Sequence, residues 1–244
     1  MHSLSASELL RLWERGLPQH GVERALTLLG ATNPEESPEA LARLSIGARD
    51  ARLLRLRERT FGPQLMSIAV CPQCSERLEF NLSVEEIMAR SENGEQARFS
   101  LSVGNYEVEF RLPDSLDLLS IASGADINRA ERLLLARCLL STRQDGAEKT
   151  FDELPAEVIE AVVDEMGRVN PQSDVQLALN CPQCGHLWQL AFDIVSFFWS
   201  ELNAWAQRVL REVHALASAY GWREEEILAL SAWRRQVYLG MIGR

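Results

Sequence analysis

The chain predicts an α+β fold. A zinc ribbon is split into two β-hairpin knuckles, an α+β subdomain is inserted between them, and helices flank both ends, the last as a long helix plus a helical tail. Three observations carry this. The tetrapeptide Cys-Pro-Gln-Cys is written twice, at 71–74 and 181–184, each time between short apolar, strand-like runs. About one hundred residues separate the copies, far more than a simple ribbon needs. An apolar stripe at helical spacing then runs through 193–220. The boundaries that follow are a helical N-terminal region at 1–62, the split ribbon at 63–83 and 172–193, the insert at 84–171, and the C-terminal helix and tail at 194–244.

Residues from about 5 to 60 read as helices. Leu9, Leu10, Trp13 and Leu17 recur at helical spacing, and Val22, Ala25, Leu26 and Leu29 form a second group. Asn33-Pro34 breaks the chain, and Ser37-Pro38 reads as an N-cap followed by a first-turn proline. Leu41, Leu44, Leu53, Leu54 and Leu56 continue the pattern. The density of acids and arginines suggests a solvent-facing helical hairpin or arm.

Leu65, Ser67 and Ala69 alternate with Met66, Ile68 and Val70 before the first knuckle, and 77–82 alternates after it. The second knuckle repeats the plan, with 174–180 before and 186–192 after. Within the insert, Gly104-Asn105 joins 97–103 to 106–112 as a two-residue hairpin. Leu116, Leu118, Leu119 and Ile121 start a helix, 127–140 and 154–166 form two more, and Gly167 with Asn170-Pro171 ends the last. In the C-terminal helix Phe198, Leu202, Trp205, Val209, Val213, Leu216 and Tyr220 share one stripe. Gly221 suits the C′ position, and Ser231 can cap the final helix.

Four thiols in two Cys-x-x-Cys pairs are what a tetrahedral Zn²⁺ site needs, which assigns Cys71, Cys74, Cys181 and Cys184 as ligands of a structural zinc. Gly185 can take the positive φ of such a knuckle, whereas Ser75 holds the equivalent place in the first with some strain. Four sulfurs leave no open position for water, so catalysis by the metal is not expected. Redox Cys-x-x-Cys pairs sit at helix N-termini, and these lie between strands. Cys138, in a leucine-rich helical run, reads as a buried structural thiol. His186 reads as a strand residue and His214 as a helix-surface residue, while His2 and His20 suggest nothing.

No nucleophile elbow, zinc-protease motif, phosphate loop or dinucleotide fingerprint occurs, and the reading is of a protein that is not an enzyme. No run of about eighteen apolar residues predicts a membrane span. The first residues begin no signal peptide, which gives a cytoplasmic expectation. The net charge of −10 opposes generic nucleic-acid binding, with a local exception at Arg49, Arg52, Arg55, Arg57 and Arg59. There Arg52, Arg55 and Arg59 share a helical face, read as solvated and paired with acids, or as a surface for an anionic partner. Core packing is one reading of the aromatic residues Trp199, Trp205, Trp222, Trp233 and Tyr238; partner binding is the other.

Three stretches carry a resemblance: Phe110-Arg111-Leu112-Pro113-Asp114-Ser115-Leu116-Asp117-Leu118, the helix from Arg132 to Leu139, and the ribbon itself. They resemble the zinc-ribbon branch of the T-even-phage baseplate hub assembly chaperone family, found with phage-like contractile injection systems. Gly221-Trp222 with Glu226-Ile227-Leu228 is similar to a motif of phage tail assembly proteins. The resemblance covers roughly 60–244. It implies a non-enzymatic assembly chaperone, or a component of the tail or baseplate, whose partners are tail, hub, baseplate or tape-measure proteins. The oligomeric state is not specified by the sequence. Two other readings stay open: a zinc-ribbon adaptor for nucleic acid or transcription machinery, and a dithiol oxidoreductase.

Overall fold

The computed structural model describes residues 4–88, 98–121 and 126–242. His2 and the Ala97 end of the expected hairpin lie outside them. The chain divides into two compact units, one of residues 35–194 and one that joins the first 34 residues to those from 195 onward. Among the described residues no helix is long and apolar enough to cross a membrane.

The larger unit begins with α3 (Pro38–Ala42), capped by the Ser37 hydroxyl with Pro38 in the first turn, as the sequence predicts. In α4 (Ile46–Phe61) the Ser45 side chain accepts the Ala48 N–H. The arm expected here does not form. Leu41, Leu53, Leu54 and Leu56 are buried, and so are Arg49 and Arg57. Arg57 donates to the Gly62 carbonyl at 2.7 Å, and Arg49 to Asp50 and to the Ser115 hydroxyl. Arg52 forms an ion pair with Glu36 at 2.8 Å. Of the five arginines only Arg55 and Arg59 are exposed, so the cluster is mostly internal wiring and not a basic surface.

The knuckle hairpins follow the expected plan. Strand β1 (Gln64–Val70) pairs antiparallel with β2 (Arg77–Ser83), and β7 (Val175–Asn180) pairs with β8 (Leu187–Phe192). In β1 Leu65 and Ala69 face inward, while Met66, Ile68 and Val70 are exposed. A one-turn helix α5 (Val84–Ile87) follows β2.

In the insert, β3 (Phe99–Val103) and β4 (Tyr106–Phe110) form the predicted hairpin around Gly104-Asn105. Gly104 takes a φ of 58°, which suits the first position of a two-residue hairpin turn. The helix expected at 127–140 ends early. After α6 (Ser115–Ile121), α7 (Ile127–Cys138) stops, and Leu139 starts a strand, β5 (Leu139–Gln144), that pairs with β4. A two-residue strand β6 (Ala147–Glu148) completes a sheet of order β3-β4-β5-β6. Helix α8 (Ala156–Val169) runs through Gly167 and ends at Asn170-Pro171, three residues beyond the expected end. It packs Val158, Val162, Met166 and Val169 against Phe99, Val108, Phe110 and Cys138.

The second unit is helical. It contains α1 (Ala6–Gly16), α2 (Gly21–Thr32), nearly all of α9 (Ile194–Tyr220), α10 (Glu224–Ala229) and α11 (Ala232–Leu239). The stripe on α9 finds its cover here: Leu10, Ala206, Val209, Val213, Leu216 and Ile227 form one core. Trp13 donates its indole N–H to Asn203 at 2.9 Å. Gly221, at φ 69°, ends α9 by donating to the Ala217 carbonyl, and Ser231 caps α11.

Helix α11 is fastened by a buried ion pair as well as by Tyr238 and Leu239 on the helical core. Arg235 donates to Glu212 at 2.9 Å and to the Leu230 carbonyl at 2.8 Å, and Gln236 donates to the other Glu212 oxygen at 2.7 Å. Removing one partner of a buried pair strands the other charge, at a cost of about 3–5 kcal/mol. Arg235→Ala is therefore expected to loosen α11 first. Hydrogen exchange should show lost protection over 232–239 before the rest of the unit opens.

Candidate metal centre

Each knuckle is a six-residue loop closing a two-stranded ladder. Val70 pairs with Arg77 around 71–76, and Asn180 pairs with Leu187 around 181–186. The internal bonds match one for one. The Cys71 N–H donates to the Glu76 carbonyl at 2.8 Å, and the Ser75 N–H to the Cys71 carbonyl at 2.9 Å. In the second loop, Cys181 donates to His186 at 2.9 Å and Gly185 to Cys181 at 2.8 Å. The turn needs positive φ at its fifth residue, 61° at Ser75 and 73° at Gly185. Serine pays about 1 kcal/mol for this region and glycine almost nothing. Ser75→Gly is thus expected to raise the melting temperature slightly with metal content unchanged, while Gly185→Val should lower it.

The two loops bring their sulfurs together. Cys71 Sγ lies 3.7 Å from Cys184 Sγ, and Cys74 Sγ lies 3.5 Å from Cys181 Sγ. All four ligand atoms fall within 4.8 Å of one another. A tetrahedron with metal–sulfur bonds of ~2.3 Å has edges of ~3.8 Å, so the four positions fit a tetrahedral Cys₄ ion. Cys71 and Cys181 are buried, and Cys74 and Cys184 face solvent.

The thiols are electrostatically unlike. Burial opposes ionisation of Cys71, but N–H groups of Cys74 and Gln73 reach its sulfur, and with the Cys74 and Cys181 thiols they bring it down to about 7. Cys74 accepts the Glu76 N–H, which favours the thiolate, yet burial and its three sulfur neighbours push it up to about 12. Cys184 accepts the His186 N–H, but burial, Cys181 and Cys71 raise it as well. One thiolate forms readily and opposes the next, so the set needs a cation to hold four negative sulfurs together. No substrate-accessible coordination position remains around an ion held by four sulfurs.

Other sequence-stated residues lie elsewhere. Cys138 is fully buried in the insert core, where burial pushes its thiol up to about 12, as fits a packing residue. His186 stacks on Trp188 with ring centroids 5.9 Å apart, and His214 is exposed on α9. Trp199 packs under the Arg24 guanidinium at 4.3 Å and against Gly16. Trp205 is half-buried in the helical core. Trp222 stacks on Tyr220 and meets Tyr238 edge-on. Trp233 stands out at 77% exposure.

The Arg111–Asp117 stretch is a second polar cluster that sequence reasoning cited only as a resemblance. Arg111 grips Asp117 with two bonds, at 2.6 and 2.9 Å, and Arg137 adds a third at 2.9 Å. The Asp114 carboxylate accepts the Asp117 N–H, and Asp117 accepts that of Asp114, so each caps the other. Asp117 is almost completely buried. Nothing here is free to act on a substrate: every oxygen of Asp117 is engaged. The available signal was the Asp-x-x-Asp spacing ahead of an apolar run, a helix-cap signature.

No curated protein and no solved structure matches the chain. A family model described as T4 bacteriophage base plate protein matches residues 26–199. That range is well over half of the chain. It starts earlier than the resemblance seen in the sequence, taking in most of α2, and stops short of the tail. It holds both knuckles, the Arg111–Asp117 cluster and the insert core, and on that ground the chain belongs to the T4 bacteriophage base plate protein family.

Proposed function

We propose that the chain is a non-enzymatic assembly chaperone or baseplate component of a phage-like contractile injection system. In this reading it belongs to the zinc-ribbon branch of the hub assembly chaperones. Cys71, Cys74, Cys181 and Cys184 hold one structural Zn²⁺, and the protein binds tail, hub or tape-measure subunits. The observation that carries the reading is the base plate family match over a region that includes a four-sulfur cluster closed to substrate. The ion cross-links loops 107 residues apart, across the inserted 84–171 segment. The result is a braced scaffold with no open coordination position on the ion, which suits a docking protein. Trp199, Trp205, Trp222, Trp233 and Tyr238 remain the proposed partner-binding set.

Arg49 and Arg57 are buried and Arg52 pairs with Glu36, so the face of Arg52, Arg55 and Arg59 offers a nucleic-acid adaptor only two exposed cations, on a chain of net charge −10. Placement of both Cys-x-x-Cys turns between strands speaks against a thiol redox enzyme.

The test is deletion of the gene in its native particle-forming background, with metal analysis of the purified protein. The expected result is unassembled baseplates and one zinc per chain. Normal contractile particles from the deletion strain would reject the function, and a metal-free, fully stable protein would reject the zinc. Immunodetection in purified particles separates a resident component from a chaperone that departs.

A further inference from the structure

Helix α11 carries apolar residues on its outward face as well as on its inward one. Its inward face carries the buried Arg235, paired with Glu212, beside Tyr238 and Leu239 on the helical core, while Trp233 and Val237 lie on the outward face at 77% and 40% exposure and Met241, in the turn after the helix, at 55%. Trp233 and Val237 stand four residues apart, one turn or ~6 Å along the helix, and Met241 follows after its end as the third member of the stripe. Next to the stripe lies a groove of about 220 Å³, lined by Trp222, Glu226, Leu230, Arg234 and Tyr238. A folding helix gains most by turning its apolar residues inward. This one has its inner face filled by Arg235, Tyr238 and Leu239 and still leaves a tryptophan in water.

The charges in the groove are not equivalent. An oxygen of Glu226 is taken by the Arg223 N–H in the cap of α10. Arg234 has no ion pair among the described residues, and it lines the groove together with Trp222 and Tyr238, which meet edge-on. We infer that this face docks an amphipathic helix of a partner protein, whose apolar residues cover Trp233, Val237 and Met241 and whose carboxylate pairs with Arg234. The stripe offers on the order of 400 Å², within the size of a functional patch on a monomer. That is half of the ~800 Å² per partner of a stable protein–protein interface, which suits one helix laid in a groove and not self-association. A symmetric pairing of two α11 helices would also bring two unpaired Arg234 cations together. The face lies beyond the residues matched to the base plate family, and the inference gives the interaction protein proposed above one definite contact surface.

The test uses the full chain as wild type, as the double variant Trp233→Ser/Val237→Ser, and as Arg234→Glu. These side chains are exposed, so unchanged melting is expected in all three and is checked first. The probe is an array of overlapping 20-residue peptides covering the tail and baseplate proteins of the same particle. Wild type should retain peptides with apolar residues at helical spacing beside an acid. The double variant should lose at least tenfold in affinity. Arg234→Glu should lose about tenfold and regain it on a peptide with that acid replaced by arginine.

Three results overturn the inference: no peptide retained, binding indifferent to the substitutions, or a concentration-dependent dimer abolished by the double variant, which would make a second copy the occupant. Pull-down with the intact tail proteins separates the two levels. If the double variant still captures them as wild type does, this surface is wrong and the functional reading stands. If wild type captures none, the functional reading fails as well.

Discussion

Cys71→Ser is expected to release the bound zinc and destabilise the larger unit by several kcal/mol. Structural Zn²⁺ supplies about 10–16 kcal/mol of apparent folding free energy in zinc-finger peptides. The loss should be smaller here, because each hairpin has its own ladder of hydrogen bonds and the insert has its own core. The two hairpins are separate two-stranded sheets with no strand pairing between them, so the proposed ion would be what holds the loops in register. Chelation of wild type should reproduce the effect. Thermal melts with parallel metal analysis measure it. Equal melting of Cys71→Ser and wild type, with one zinc per chain in both, would sink the four-sulfur assignment.

Asp117→Ala is expected to cost about 3–5 kcal/mol, because it leaves Arg111 and Arg137 facing a vacated carboxylate and removes the cap that Asp114 receives. The same site gives a pH dependence. Burial would raise the Asp117 pKa, but the Arg111 fork, the Asp114 N–H and Arg137 outweigh it and hold the carboxyl well below the usual carboxylate range. A group depressed in the folded state binds more protons when unfolded. Its contribution is therefore complete above about pH 4, the unfolded value, and is lost as pH falls through the folded one. Denaturant titrations at pH 6 and pH 3 should show wild type losing stability on acidification. Asp117→Asn should show a shallower loss. Equal slopes would assign the acid sensitivity to other carboxylates.

What was legible in the sequence was what local chemistry decides. The knuckles could be read because a tight turn with fixed cysteine spacing and a positive-φ residue is specified within six residues. The caps at Ser37 and Ser231 and the stop at Gly221 were legible for the same reason. Strand β5 was not. Leu133-Leu134-Leu135-Ala136-Arg137-Cys138-Leu139-Leu140 has helical propensity throughout, and the break at Leu139 comes from pairing with Phe110 on a strand far back in the chain. The burial of Arg57 was equally hidden, since its partner, the Gly62 carbonyl, exists only once the helix end has formed. The width of the α9 stripe correctly called for more cover than a ribbon gives. That part of the cover is α1, from the opposite end of the chain, is a long-range fact with no local signature.

The spacing of the knuckles has a consequence for synthesis. At about 5–20 residues per second, translation delivers Cys181 roughly 5–20 s after Cys74. Throughout that interval the first loop owns only two of the four sulfurs that a tetrahedral ion would need. With zinc as the proposed occupant, the nascent chain therefore passes through a half-site of two thiols before the four-sulfur cluster can form.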